Sequence, residues 1–344
     1  MIHSLFRRTG LAVPFILAAL ASTPAHAGKT LDAIKQRGNI QCGVSTGVAG
    51  FSLPDSKGVW SGLDVDFCRG IAAAVLGDPN KVNFVPLNPQ QRFSALQSGE
   101  VDLLARNTTW SLSRDASLGL SFTGVNYYDG QGFLVPKKLK LTSAKQLKNA
   151  EICVQSGTTN EKNLADYFRA QNIKIKPVVF EGFEASFKAF FSGRCQAYTT
   201  DISGLAGVRN KEAKNPDDYV ILPEVISKEP LGPAVRRGDD EWFAIVRWTA
   251  FALIEAEEYG ITKANVVSLK DSKDPNIGRL LGSTEDSGKL LGLDREWAFR
   301  AVKAVGNYGE IFARNVGPDS VLKLPRGLNN LWNKGGILYA PPIR

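Results

Sequence analysis

Histidine is almost missing from this chain. Only His3 and His26 occur in 344 residues, and both precede Gly28. Arg7 and Arg8 lead into an apolar run from Leu11 to Ala21, and Ala25-His26-Ala27 has the small-x-small pattern of a cleavage site. Residues 1–27 are therefore expected to be a signal peptide. The chain that remains has neither histidine nor methionine. Ser-His-Asp and Cys-His nucleophiles, histidine metal ligands and imidazole acid–base chemistry are then excluded, and no metal or other cofactor is expected.

Long apolar runs are also lacking. Leu11–Ala21 is too short to span a bilayer comfortably, and Trp242–Ile254 is interrupted by Arg247. No cysteine stands beside the cleavage point to carry a lipid, so a soluble exported protein is expected. The formal charge is +8, and removing Arg7 and Arg8 with the leader leaves +6. Lys137, Lys138 and Lys140 cluster, but no basic stripe alternates with aromatics, which argues against a nucleic-acid partner.

Four cysteines remain, Cys42, Cys68, Cys153 and Cys195. Export to an oxidising compartment favours two disulfides. Sequence permits three pairings. Cys42 with Cys68 and Cys153 with Cys195 is preferred, because each pair then falls inside one lobe of the architecture described next.

Asn39–Val44 reads as a strand, followed by a loop and a helix in which Leu63, Phe67, Ile71 and Val75 recur every four residues up to Gly77 and Pro79. A strand near Val82–Leu87, a helix from Gln90 to Gln97 and a strand over Val101–Ala105 continue the alternation. Strands alternating with helices predict a mostly parallel sheet. Asp129-Gly130-Gln131-Gly132 looks like a crossing point, with a new strand beginning at Gly132. Ser143–Gln146 and Thr158–Glu161 match capping boxes. Strands at Ile152–Gln155, Pro177–Phe180 and Gln196–Thr199, with helices between them, repeat the first organisation. From Gly232 the chain can cross back, and Asp239–Tyr259 makes one long helix. The expected division is 28–130 and 232–344 for one lobe and its C-terminal helical extension, and 131–231 for the other.

The strand ending at Ala105 runs into Arg106-Asn107-Thr108-Thr109-Trp110 and then Arg114. Strand ends in open α/β sheets face ligands, and hydroxyl and amide groups followed by an arginine suit a carboxylate. Together with Gly62–Asp66, Leu96–Asp102, Phe122-Thr123, Gln155–Thr159 and Tyr198–Asp201, these residues occur in an order that resembles the periplasmic amino-acid-binding proteins feeding ABC importers. The resemblance is to the general or polar L-amino-acid branch of extracellular solute-binding protein family 3. It implies the type II periplasmic binding protein fold: two α/β lobes joined by paired hinge strands and closing on one amino acid. It implies a monomer that delivers its ligand to membrane permease subunits from the periplasm. It places the α-carboxylate on Arg114 and the α-ammonium on Asp201, with Gly157, Thr158 and Thr159 assisting at a helix N-terminus. Asn107, Thr109, Asn160, Gln155 and Trp110 fall around the ligand.

Two departures bear on specificity. Relatives often carry a stacking aromatic where this chain has Val48-Ala49-Gly50-Phe51, and several have serine where Arg106 stands. The extra cation tilts the expected ligands toward acidic and polar amino acids. The same fold also serves dehydratases and peptidoglycan lyases, so an exported enzyme using Glu, Asp or Lys is the alternative. A sensory ligand-binding module is a third, weaker one.

Overall fold

The computed structural model describes residues 29–344, so the expected signal peptide lies outside the described residues. Helix α1 (Lys29–Arg37) leads to β1 (Ile40–Val44), and a small antiparallel pair, β2 (Leu53–Pro54) and β3 (Trp60–Ser61), precedes α2 (Leu63–Leu76). Then come β4 (Val82–Pro86), α3 (Arg92–Ser98), β5 (Leu103–Leu104), α4 (Leu112–Ser117) and β6 (Leu120–Phe122). The long strand β7 (Tyr127–Pro136) opens the second set: β8 (Glu151–Gln155), α5 (Thr159–Ala170), β9 (Lys176–Phe180), α6 (Phe183–Phe191), β10 (Ala197–Asp201), α7 (Ile202–Gly207) and β11 (Tyr219–Ile221). The chain returns through β12 (Lys228–Leu231), β13 (Ala234–Arg236) and α8 (Asp240–Glu258). It finishes with α9 (Pro275–Leu280), α10 (Trp297–Val305), α11 (Tyr308–Asn315) and short turns.

The elements form the expected two-lobe α/β architecture. The first sheet has order β4-β1-β5-β13-β6 and the second β11-β7-β10-β8-β9. In each, the first strand of the βα set is flanked by the second and third in parallel, and the strand arriving from the other crossing lies antiparallel beside the third. Helix α2 forms because Leu63, Phe67 and Ile71 place one apolar face on the sheet, all of them buried. The long helix α8 is capped by Asp239, whose carboxylate accepts the Trp242 N–H at 3.0 Å.

The crossing differs from the expected glycine break. β7 is one continuous strand: its first residues pair antiparallel with β12, Tyr127 opposite Leu231, and its last with β10 and β11. Gly130 and Gly132 provide clearance there. A Cβ on Gly130 would lie 2.3 Å from Val225 Cγ1, and one on Gly132 3.1 Å from Ile202 Cγ1. The return begins at Lys228, ahead of Gly232, because its backbone pairs with β7.

The C-terminal extension packs on the first lobe. Trp297, Val302 and Val305 of α10 are buried, and Arg300 donates to the Ala73 and Ala74 carbonyls at 3.2 and 3.0 Å. Asn329 pairs in both directions with the Tyr128 backbone of the crossing strand, at 2.6 and 3.0 Å. Among the described residues no helix is long and apolar enough to cross a membrane.

Cys42–Cys68 ties β1 to α2, and Cys153–Cys195 ties β8 to the segment before β10, closing separations of 26 and 42 residues. Loops of this size lose enough unfolded-state entropy on cross-linking to stabilise by about 3–4 kcal/mol each. Denaturant titration with and without reductant is expected to show losses of that order. Peptide mapping that found a bridge between the lobes would contradict the pairing.

Candidate functional site

The carboxyl ends of β5, β8 and β10 converge on a narrow cavity between the lobes. The walls touch around it: Gln90 of the first lobe donates to the Ser156 hydroxyl of the second.

The first wall is the segment after β5. Asn107 takes a left-handed backbone, φ 36°, tolerable for asparagine, and its N–H donates to the Asp64 carboxylate at 2.8 Å. Trp110 N–H donates to Pro230 O at 2.8 Å and Gly232 N–H to Thr108 O at 3.0 Å, clipping the segment to the return crossing. Thr109 thereby faces the cavity. Arg114 is the one buried residue of the short helix α4. Its Nη1 donates to Thr109 O at 2.9 Å, and its guanidinium lies 5.4 Å from the Phe93 ring centre. Arg106 is buried as well, with Nε donating to Leu87 O at 2.8 Å.

A third guanidinium, Arg92 at the start of α3, completes this wall. It is 2% exposed, its guanidinium lies 4.7 Å from the centre of the same Phe93 ring, and its Nε has no hydrogen-bond partner. Burial pushes Arg106 down to about 10, and the Arg114 charge adds to the effect. Burial likewise lowers Arg92 and Arg114, while Glu229 and Asp201 oppose the shift of Arg114. Behind Arg106, burial raises Asp64 to about 7 against the Asn107 hydrogen bond and the Arg106 charge. Three desolvated cations on one wall make a strong anion field.

The second wall is the β8–α5 turn. Thr158 caps α5, its hydroxyl accepting Glu161 N–H at 3.1 Å and donating to Gln155 O at 2.7 Å. The reciprocal bond of the expected capping box is displaced by one residue: the Glu161 carboxylate accepts Gly157 N–H at 2.9 Å. Asp201, at the end of β10, makes no capping bond to α7. Its Oδ1 accepts Asn160 Nδ2 at 2.9 Å instead, so its carboxylate is turned to the cavity. Burial, then the charges of Asp129 and Glu229, hold Asp201 well above the usual carboxylate range. A cation delivered there would relieve it.

Arg106, Asn107, Thr109, Arg114, Gln155, Thr158, Thr159, Asn160 and Asp201 thus share one cavity. Two expected residues do not join them. The Trp110 ring stacks on Phe122 at 5.7 Å inside the first lobe, because its strand-end position turns toward that core. Gly157 lies outside the lining, and its amide is taken by Glu161. Phe51 is buried edge-on against Tyr127, leaving Val48 at the cavity, and the aromatic surface there comes from Phe183. Arg92 went unnoticed in the sequence, although a signal exists: it shares a helix face with buried Ala95 and Leu96, where a cation is costly unless something pairs with it.

Residues 40–265 match the family described as bacterial extracellular solute-binding proteins, family 3. The chain is 58% identical to the general L-amino acid-binding periplasmic protein AapJ of Rhizobium johnstonii, over 96% of both chains. It is 54% identical to the glutamate/glutamine/aspartate/asparagine-binding protein BztA of Rhodobacter capsulatus, over 95% of this chain and 97% of that one. Both alignments are long enough to take in the C-terminal extension. Among solved structures, a periplasmic binding protein from Brucella ovis with glutathione bound matches with TM-score 0.91 and 58% identity, covering 93% of this chain and all of that one. With its two lobes, its strand-end cavity and this breadth of match, the chain belongs to the bacterial extracellular solute-binding proteins, family 3.

Proposed function

We propose that the protein is the periplasmic receptor of an ABC importer for L-amino acids, with a preference for acidic and polar side chains. Arg114 takes the α-carboxylate in a two-bond fork, and Asp201 takes the α-ammonium. The observation that carries the preference is the charge of the cavity lining: Arg92, Arg106 and Arg114 face a single lining carboxylate, Asp201. A zwitterionic head satisfies Arg114 and Asp201, which leaves two guanidiniums for the side chain. A carboxylate or amide oxygen answers them; a lysine or arginine side chain would bring a like charge. The bodies that close are the lobes built on the two sheets, joined by the crossing strands β7 and β12. The closed monomer presents its lobes to the permease and returns the ligand unchanged.

A thermal-shift panel of the common L-amino acids tests this reading, since a ligand at 100 times its Kd adds about 2.7 kcal/mol to the native state. Glutamate, aspartate, glutamine and asparagine are expected to raise Tm most, and lysine, arginine and histidine least. Arg106→Ala or Arg92→Ala is expected to cut the preference for glutamate over a neutral aliphatic residue by at least tenfold. A panel with no shift, or a chemically altered ligand recovered by mass spectrometry, contradicts the receptor reading.

Glutathione belongs on the same panel. The Brucella ovis structure holds it, and its γ-glutamyl end carries the same α-ammonium and α-carboxylate as a free amino acid.

A further inference from the structure

Glu229 takes no part in the clamp just described, yet four side-chain donors converge on its carboxylate. It lies on the return crossing β12 and is 1% exposed. Oε2 accepts the hydroxyls of Thr109 at 2.6 Å and Thr159 at 2.8 Å. Oε1 accepts Asn163 Nδ2 at 2.7 Å and the Ser227 hydroxyl at 2.6 Å. Thr109 belongs to the first lobe, Thr159 and Asn163 to the second, and the carboxylate stands on the strand between them. The two threonine oxygens are 3.2 Å apart, and both residues line the cavity.

A carboxylate whose two oxygens are surrounded by four donors acts as the acceptor, and a hydroxyl has one proton to give. Both threonine protons are therefore committed to Glu229, away from the cavity. What Thr109 and Thr159 can still offer a ligand is lone pairs. Acceptors of this kind suit an ammonium, which has three donors and gives only some of them to Asp201.

We infer that Glu229 is a positioning residue: it holds the Thr109 and Thr159 hydroxyls, one from each lobe, as a pair of acceptors for the ligand's ammonium. The inference rests on the receptor reading above. It also gives the pair a dependence on closure, since one carboxylate can reach both hydroxyls only when the lobes are together.

Glu229→Gln tests the polarity at nearly constant shape. Its amide can donate to the threonine oxygens, which turns their protons toward the cavity. Calorimetry with L-glutamate and L-glutamine is run on wild type, Glu229→Gln, Thr109→Val with Thr159→Val, and all three changes together. Glu229→Gln is expected to weaken binding about tenfold alone and less than twofold once the hydroxyls are gone, because coupled residues are non-additive. Glu229→Asp keeps an acceptor-only group and is expected to recover part of the loss. An equal loss in both backgrounds, or no loss in either, overturns the inference alone, since a purely structural carboxylate acts without the hydroxyls. If Glu229→Gln does not fold, a Glu229→Asp protein no better than Thr109→Val with Thr159→Val overturns it as well. Wild type that binds neither amino acid overturns the receptor reading and this inference with it.

Discussion

Arg114→Ala is expected to weaken binding of every amino acid, whatever its side chain, by roughly 100- to 5,000-fold. Removing one partner of a desolvated, hydrogen-bonded ion pair costs about 3–5 kcal/mol, chiefly because the other charge is left buried and unanswered. Arg114 meets the requirements for such a pair. It is held against Thr109 O and the Phe93 ring, so its guanidinium needs little ordering when the ligand arrives. Arg114→Lys keeps the charge but loses the planar fork, and is expected to retain only part of the affinity. The ligand-free melting temperature provides the control, because the Thr109 contact is also lost. A calorimetric Kd for L-glutamate that stays within a factor of two in Arg114→Ala would remove this residue from the clamp.

The second large effect is expected at Asp201, and it has a pH signature. Burial and two neighbouring carboxylates raise its pKa in the ligand-free protein. The ligand's ammonium favours the ionised form and pulls that pKa back down. Binding below the raised value must therefore release a proton, and affinity falls as pH drops, by up to tenfold per pH unit. Calorimetry in buffers of different ionisation enthalpy reads the proton directly. Asp201→Asn keeps the shape and can still accept from Asn160, but it leaves the ammonium without a counter-charge. A loss of roughly 100-fold at neutral pH and a flattened pH dependence are expected together. A variant that loses affinity but keeps the wild-type pH slope would assign the titration to another group, such as Asp129, which burial raises to about 6.

The polar groups placed by local motifs were legible in the sequence because their geometry is set by the strand that precedes them. Asn107, Thr109 and Arg114 follow β5, Thr158 to Asn160 follow β8, and Asp201 ends β10. In a parallel α/β sheet those ends lie on one side, which made the segment running to Arg114 readable by itself, while Thr158 to Asn160 and Asp201 were placed by the family resemblance. Trp110 and Gly157 fail the same reasoning for local reasons: one side chain turns into the first-lobe core, and one amide is claimed by Glu161.

Arg92 and Glu229 show what that reading cannot reach. Each is an ionisable residue beside ordinary helix or strand residues, and its role comes from partners far away in the chain. Arg92 matters because it shares the Phe93 ring with Arg114 and is buried without a partner for Nε. Glu229 accepts hydroxyls 120 and 70 residues distant from it, one from each lobe.

The sequence by itself determined the two α/β sets, the absence of imidazole chemistry from the expected mature chain, and the strand ends that carry polar groups, since each follows from local pattern and composition. Only the tertiary structure decided how the charges add up. Hydrogen-bond polarity and the balance of three guanidiniums against one lining carboxylate depend on distances across the cleft, and sequence spacing does not encode them.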